Sequence, residues 1–135
     1  MLLAIALLSI FGILFAATAS ITGPKRVDVG ELVTVKASDL RAGQYRLFLT
    51  TPYNEAARPG ETTQCSAPIS ALRHASGTAS FSGRVPDVLE CRAYLTPTGT
   101  RPVSPGSYEF EVYSPVGDRP NRRLANAVQG VQIEK

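Results

Sequence analysis

The chain has 135 residues, of which 44% are hydrophobic and 19% charged, and its formal net charge is +3. The cations are scattered among acids, which is typical of a solvated surface and excludes the dense basic footprint of a nucleic-acid-binding domain. The length suits one domain, because single domains of about 100 to 150 residues are the commonest. We therefore expect one domain and no nucleic-acid partner.

The first nineteen residues carry no ionisable side chain. An apolar run that ends in small residues, here Ala17-Thr18-Ala19, is typical of a signal peptide. At about 1.5 Å per helical residue, the same run almost spans a bilayer. We expect a hydrophobic signal helix over residues 1–19, cleaved before Ser20, and an exported domain over residues 20–135. The alternative is a retained anchor, and a membrane partner follows only in that case.

Cys65 and Cys91 are the only cysteines. An exported protein meets an oxidising compartment, in which two thiols persist as a disulfide. The spacing is not that of a CxxC redox motif, and His74 is the only histidine, so a metal site is not expected. The sequence predicts one disulfide, with no metal and no cofactor.

Short runs of alternating apolar and polar residues are separated by segments rich in Gly and Pro. Such runs predict half-buried strands. They cover residues 32–38, 44–50, 78–85, 88–95, 108–112 and 127–133. This pattern predicts an all-β, antiparallel sandwich of two sheets, and a closed barrel is the alternative.

The same pattern makes several local predictions. A turn is expected over residues 39–43, and one or two helical turns over residues 68–74. Gly130 predicts a bulge in the last strand. The alternation places Cys91 on an inward face and predicts solvated outward positions for Arg46, Thr50, Glu109 and Glu111.

Three segments resemble the strands of bacterial secreted immunoglobulin-like domains. They are VGELVTV at Val29–Val35, LRAGQYRL at Leu40–Leu47 and PGSYEFEV at Pro105–Val112. The resemblance implies an immunoglobulin-like sandwich of about seven strands, with Tyr108 as a tyrosine at a sheet corner. Such domains serve as surface, adhesion or spacer modules. The chain has no Trp, so the Cys-Trp-Cys core of antibody domains is absent.

No motif of a catalytic site is found in the sequence. A Ser-His-Asp set can be drawn from Ser70, His74 and Asp87, but no serine lies in a GxSxG elbow. Glu109 and Glu111 are spaced as on a solvated strand face, which is the simpler explanation than a catalytic carboxylate pair. We expect a protein that is not an enzyme.

Two loops contain residue types that are common in protein contacts. The first loop is Pro52–Gln64, and its candidate contact residues are Tyr53, Asn54 and Arg58. The second loop is Ser114–Leu124, and its candidate contact residues are Arg119, Arg122 and Arg123. Both loops are also compatible with plain solvated connectors. We expect a secreted or cell-surface binding protein with a protein or polysaccharide partner. The alternative is an extracellular enzyme inhibitor or an accessory domain of an extracellular enzyme.

Overall fold

The computed structural model describes residues 19–52, 64–93, 96–114 and 127–135. Within these ranges the chain forms nine strands and no helix, which confirms the predicted all-β class. The strands are β1 (Ser20–Thr22), β2 (Arg26–Val27), β3 (Leu32–Thr50), β4 (Gln64–Pro68), β5 (Arg73–Arg84), β6 (Val88–Ala93), β7 (Thr96–Pro102), β8 (Gly106–Tyr113) and β9 (Val128–Ile133). A helix that is long and apolar enough to cross a membrane does not occur among the described residues.

The strands form one mostly antiparallel sheet that curls into a half-barrel. Its order is β2-β9-β8-β3-β4-β6-β7, with β2 parallel to β9. Strand β3 is 19 residues long and lies at the centre. Its N-terminal part, as far as Tyr45, pairs with β1 and β5, whereas its C-terminal part, from Arg46, pairs with β4 and β8. One strand therefore belongs to two groups of partners.

Strand β3 passes from one group to the other at a bend, and the turn predicted over residues 39–43 is wrong. Asp39 has a positive φ of 59°. The register against β5 shifts between Ala37 and Leu40 and again between Leu40 and Gly43. Bulges of this kind absorb extra residues and bend a strand without reversing it. The chain therefore continues through this segment as one strand.

A single hydrophobic core takes residues from both groups of strands. The alternation predicted that Val33 and Val35 face inward on β3 and that Phe110 and Val112 do so on β8, and all four are buried. The largest fully buried apolar side chains are Phe81, Phe110, Leu47, Leu49, Leu89, Ile133, Val35 and Val112.

The segment between β4 and β5 packs closely on β5, and it is not helical. A Cβ atom on Gly83 would collide with the backbone carbonyl of Ile69. The N–H groups of Ile69 and Ser70 donate to the Leu47 carbonyl at 2.8 and 3.3 Å. The Ser70 hydroxyl accepts from the Leu47 N–H at 3.0 Å. Because β3 satisfies these backbone groups, the helical turn predicted over residues 68–74 is wrong.

Two tyrosines make the same local contact. The Tyr108 hydroxyl donates to the Ser104 carbonyl at 2.9 Å, four residues upstream, and accepts from the Ser104 N–H at 3.2 Å. This is the corner contact predicted for Tyr108. The Tyr45 hydroxyl donates to the Arg41 carbonyl at 2.6 Å, also four residues upstream. Each hydroxyl therefore fixes the chain where a strand begins or bends.

Strand β9 holds the N-terminal segment in place. The Gln129 amide accepts from the Gly23 N–H at 2.8 Å and donates to the carbonyls of Gly23 and Pro24 at 3.1 Å each. The register of β9 against β8 runs without a shift from Ile133 to Val128. The bulge predicted at Gly130 is therefore wrong.

Cys65 and Cys91 form the predicted disulfide, and both are buried. They lie opposite each other on β4 and β6. The backbone N–H and carbonyl of Cys65 bond to Thr51, on the β3 side. The pair with Cys91 is therefore a non-hydrogen-bonded one, in which Cα atoms approach most closely. Their Cα atoms are 3.9 Å apart.

Candidate functional site

The face of the large sheet opposite the core carries a row of polar and aromatic side chains across β3 and β8. We call this row the β3–β8 strip. Its three cross-strand pairs are Arg46 with Tyr113, Phe48 with Glu111, and Thr50 with Glu109. Their neighbours along each strand, such as Leu47 and Val112, point into the core.

The centre of the strip is closed to solvent although it lies away from the core. Phe48, Thr50 and Glu111 are only 8%, 1% and 6% exposed. The alternation placed Thr50 and Glu111 on this face correctly, but the solvation predicted for them is wrong. Alternation shows which side chains share a face, and it does not show whether that face is covered. Arg46 and Glu109, also predicted as outward residues, are half-buried.

One end of the strip is an aromatic pair beside a guanidinium group. The rings of Phe48 and Tyr113 stack with centroids 4.2 Å apart and planes 13° apart. Arg46 directs its Nε to the Ser70 carbonyl at 2.7 Å. This bond holds the guanidinium at one end of the strip. Tyr113, at the same end, is half-buried.

The Tyr113 phenol lies in an environment that favours its neutral form. Burial raises its pKa above the ordinary value of 10.0, and the Glu111 carboxylate raises it further. The positive charges of Arg92 and Arg46 act in the opposite direction and are the weaker influence. Tyr113 is therefore a neutral hydrogen-bonding group at physiological pH.

Thr50 contributes a hydroxyl without a hydrogen bond. Its Oγ1 atom is buried and has no partner, the single buried side-chain oxygen or nitrogen of this kind among the described residues. A buried hydroxyl that lacks a partner costs about 1 to 3 kcal/mol. Most buried polar groups avoid this cost, so the position is unusual.

Both loops predicted to carry recognition begin at this strip. Their candidate residues lie outside the described residues: Tyr53, Asn54, Arg58, Arg119, Arg122 and Arg123. The first loop leaves β3 just after Thr50, and the second leaves β8 just after Tyr113. Because the two strands are antiparallel, these departure points lie at opposite ends of the strip, about 13 Å apart at about 3.3 Å per residue.

The Ser-His-Asp set considered from the sequence is not brought together. His74 lies in the first residues of β5, and Asp87 follows the other end of that strand. The Ser70 hydroxyl accepts from the Leu47 N–H and donates to the Ala71 carbonyl. Ser70 therefore has a structural position.

Glu109 and Glu111 share one face of β8, and both have interaction partners. Within the described part of the chain, no three His, Cys, Asp or Glu residues lie close enough together to hold a metal ion.

Sequence reasoning missed Phe48, Tyr113 and Arg92 as candidate site residues. Phe48 is a large aromatic residue at an outward position of an alternating strand, and that mismatch was the available signal. The second tyrosine contact, at Tyr45, was also detectable. Gly43-Gln44-Tyr45 repeats the spacing of Gly106-Ser107-Tyr108.

Comparisons with known proteins find little. No family model matches the chain. No curated protein matches it significantly. Among solved structures, macromomycin is similar over 87% of this chain and 98% of its own, with a TM-score of 0.49 and 18% sequence identity. At this identity, the likeness says nothing about what this chain binds.

Proposed function

We propose that this chain is an exported, non-enzymatic binding protein that holds a protein partner at the half-buried ends of the β3–β8 strip, where Arg46, Tyr113 and Glu109 lie, together with the two loops beside it. The observation that carries the proposal is the half-buried Tyr113, which stacks on Phe48 and lies opposite Arg46. Aromatic residues and arginine are the types most enriched at the energetic centres of protein interfaces.

The strip favours a protein partner over a polysaccharide. Each ring of the Phe48–Tyr113 pair covers a face of the other, and Phe48 is only 8% exposed. A broad open ring face, as sugar stacking needs, is therefore not offered by Phe48. Charges of both signs, Arg46 and Glu109, lie half-buried on the same strip and complement a mixed protein surface.

Two features support export. The apolar stretch over residues 1–19 has the composition and small-residue ending of a signal peptide. The Cys65–Cys91 disulfide is compatible with an oxidising compartment. Intact-mass analysis of the exported protein tests this directly. The expected mass is that of a chain beginning at Ser20, and a full-length chain in the membrane fraction contradicts cleavage.

We further infer that the finer fold is an immunoglobulin-like sandwich. One layer consists of β1, β5 and the N-terminal half of β3, and the other consists of the remaining strands. A Cβ atom on Gly23 would lie 2.8 Å from Val35 of the first layer and 3.7 Å from Phe110 of the second. The tyrosine corner at Tyr108 supports the same inference.

The binding proposal is tested by capture from the exported-protein fraction on immobilised protein, followed by affinity measurements on the captured partner. Arg92 is an exposed residue of β6 whose positive charge acts on the Tyr113 phenol, and we expect Arg92→Ala to weaken binding by about tenfold or more. Lys36→Ala is the matched control, because Lys36 is an exposed cation on the other half of β3.

Equal affinity of the Arg92→Ala variant and the Lys36→Ala control contradicts the use of the strip. Retention on polysaccharide with no captured protein contradicts the partner class.

A further inference from the structure

The sheet begins at the residue that follows the predicted cleavage site. Ser20 is the first residue of β1, and the sequence predicts that the signal peptide ends at Ala19. Ala19 is only 7% exposed and belongs to the hydrophobic core of the domain. The same residue is therefore the last one of the predicted signal peptide and a buried one of the folded domain.

Strand β1 fixes the chain on the other side of the Ala19–Ser20 peptide bond. It pairs antiparallel with residues 36–38 of β3, with Ser20 opposite Ser38. Its middle residue, Ile21, packs against the hydrophobic core. The bond therefore lies between a buried side chain and a paired strand.

A further contact holds the chain just behind β1. The side-chain amide of Gln129 accepts from the Gly23 N–H at 2.8 Å and donates to the carbonyls of Gly23 and Pro24 at 3.1 Å each. These two residues directly follow β1. Gln129 thus keeps the segment behind β1 beside β9, and this leaves β1 little freedom to move away from β3.

An endopeptidase cannot use the Ala19–Ser20 bond in this arrangement. A signal peptidase recognises the small residues that precede the bond, and Ala19 is the nearest of them. An enzyme that binds an extended segment takes its side chains into pockets, and the Ala19 side chain is not available while it lies in the core. Hydrolysis in the folded domain therefore depends on a local opening that frees Ala19 and β1.

We propose that the Ala19–Ser20 bond is hydrolysed only before β1 joins the sheet, so that the order of cleavage and folding decides whether the domain is released. This inference rests on the export proposed above. A membrane-bound endopeptidase catalyses the step. Water supplies a hydroxyl group to the Ala19 carbonyl carbon and a proton to the Ser20 nitrogen, and the bond between these two atoms breaks.

The two orders give different products. When cleavage comes first, the domain folds with Ser20 as its N-terminus and without Ala19 in its core. When folding comes first, residues 1–19 stay attached, and their apolar side chains keep the chain at a membrane. Because Ala19 itself lies in the core, no spacer separates this apolar segment from the sheet.

The order of addition tests the proposal on the full-length chain in detergent, with its disulfide intact. One sample is diluted from urea into an excess of signal peptidase, and a second is refolded before the peptidase is added. Intact mass should show a chain that begins at Ser20 in the first sample. In the second sample, cleavage should be slower by about tenfold or more.

A spacer variant separates protection by the sheet from shielding by the detergent. A flexible spacer of Gly and Ser that ends in Ala is inserted between Ala19 and Ser20, so that an alanine still fills the core position. The bond after Ala19 then lies outside the sheet. This variant should be cut at the same rate before and after refolding.

A matched pair of substitutions tests the opening step in the refolded chain. Gln129→Ala removes the amide that holds Gly23 and Pro24. Gln132→Ala removes the same group from an exposed position on the same strand, where it contacts Ser107. Gln129→Ala should be cut several-fold faster than Gln132→Ala, because cleavage follows the population of the open form.

Equal cleavage of the wild-type chain before and after refolding overturns the proposal, as does protection of the refolded spacer variant. Equal rates for the two glutamine variants overturn the opening of β1 as the step that limits cleavage. Failure of the export proposal is recognised separately, because neither the wild-type chain nor the spacer variant is then cut after Ala19 in either order.

Discussion

The two halves of β3 both alternate inward and outward residues, with Phe48 as the one apolar residue at an outward position of the second half, and they differ in the burial of the outward face. In the N-terminal half, exposed Thr34 and Lys36 alternate with buried Val33 and Val35. In the C-terminal half, the four consecutive residues Leu47–Thr50 are all buried. Antiparallel sheets commonly leave one face in water, and only the first half does so. We call the N-terminal half one-sided, because only one of its faces is buried, and the C-terminal half two-sided, because both of its faces are buried. One strand therefore takes part in both arrangements.

This difference separates two kinds of surface. The one-sided half and its partner β5 present exposed hydroxyl side chains, such as those of Thr34 and Ser82, which lie 2.8 Å apart. The two-sided half presents an aromatic and charged strip whose centre is already closed to water. We accordingly expect side-chain recognition at the second surface and not at the first. Variants in each half test whether this division holds.

The largest effect is expected from Phe81→Ala on β5, where Phe81 pairs with Val35 of the one-sided half. Phe81 is 1% exposed, and large-to-small changes of buried aromatic residues cost about 3 to 5 kcal/mol. Chemical denaturation measures the free energy of unfolding. Ser82→Ala is the matched control, because its exposed neighbour on the same strand should change stability by about 0.5 kcal/mol or less. Equal losses of unfolding free energy in the two variants would show that β5 has no buried face.

Loss of the disulfide between β4 and β6, beside the two-sided half, is expected to lower the free energy of unfolding almost as much. It joins residues 26 positions apart, and the chain-entropy estimate for that loop is about 3.5 kcal/mol. The Cys65→Ser, Cys91→Ser double variant should lose up to this amount in denaturant titrations. Reduction of the wild-type disulfide should lower the melting temperature as well. An unchanged melting temperature contradicts this estimate.

A smaller effect, and a gain, is expected from Thr50→Val. The Thr50 hydroxyl is buried without a partner, so its removal should stabilise the protein by about 1 kcal/mol. The matched control is Thr34→Val in the one-sided half, where the hydroxyl is exposed and bonded to Ser82. That change should have almost no effect or a slightly unfavourable one. Destabilisation by Thr50→Val would show that this hydroxyl is satisfied.

The smallest effect concerns Tyr113 and depends on pH. Its pKa is raised above 10.0, so the unfolded chain loses this proton at a lower pH than the folded protein does. The stability associated with neutral Tyr113 is complete below pH 10.0 and declines above it. Tyr113→Phe should behave like the wild type at neutral pH and lose less stability in alkali. Parallel alkaline losses in both proteins contradict the assignment.

Much of the fold follows from local pattern. The alternation in Val33–Ala37 and Tyr108–Val112 predicted the inner faces, and cysteine count with compartment predicted the disulfide. The errors arose where a distant strand decides the outcome. Residues 68–74 are held by Leu47 of β3 rather than by one another. Residues 39–43 bend without reversing because β5 keeps pairing across them.

The candidate site was less predictable than the fold. Phe48 and Tyr113 are two positions out of direct cross-strand register, and their contact depends on which strands are neighbours. A single sequence does not show that β3 lies beside β8. The burial of Glu111 similarly depends on what covers the sheet, which alternation does not encode.

The Gln129 amide has a consequence for biosynthesis. It holds Gly23 and Pro24, which are more than 100 positions earlier in the chain, and the neighbouring β2 likewise pairs with β9. The segment from Gly23 to β2 thus acquires these bonds from a strand synthesised about a hundred residues later. Contacts of such long separation form late and slowly. A chain still on the ribosome lacks these contacts, so the segment from Gly23 to β2 stays unpaired with β9 until β9 has emerged.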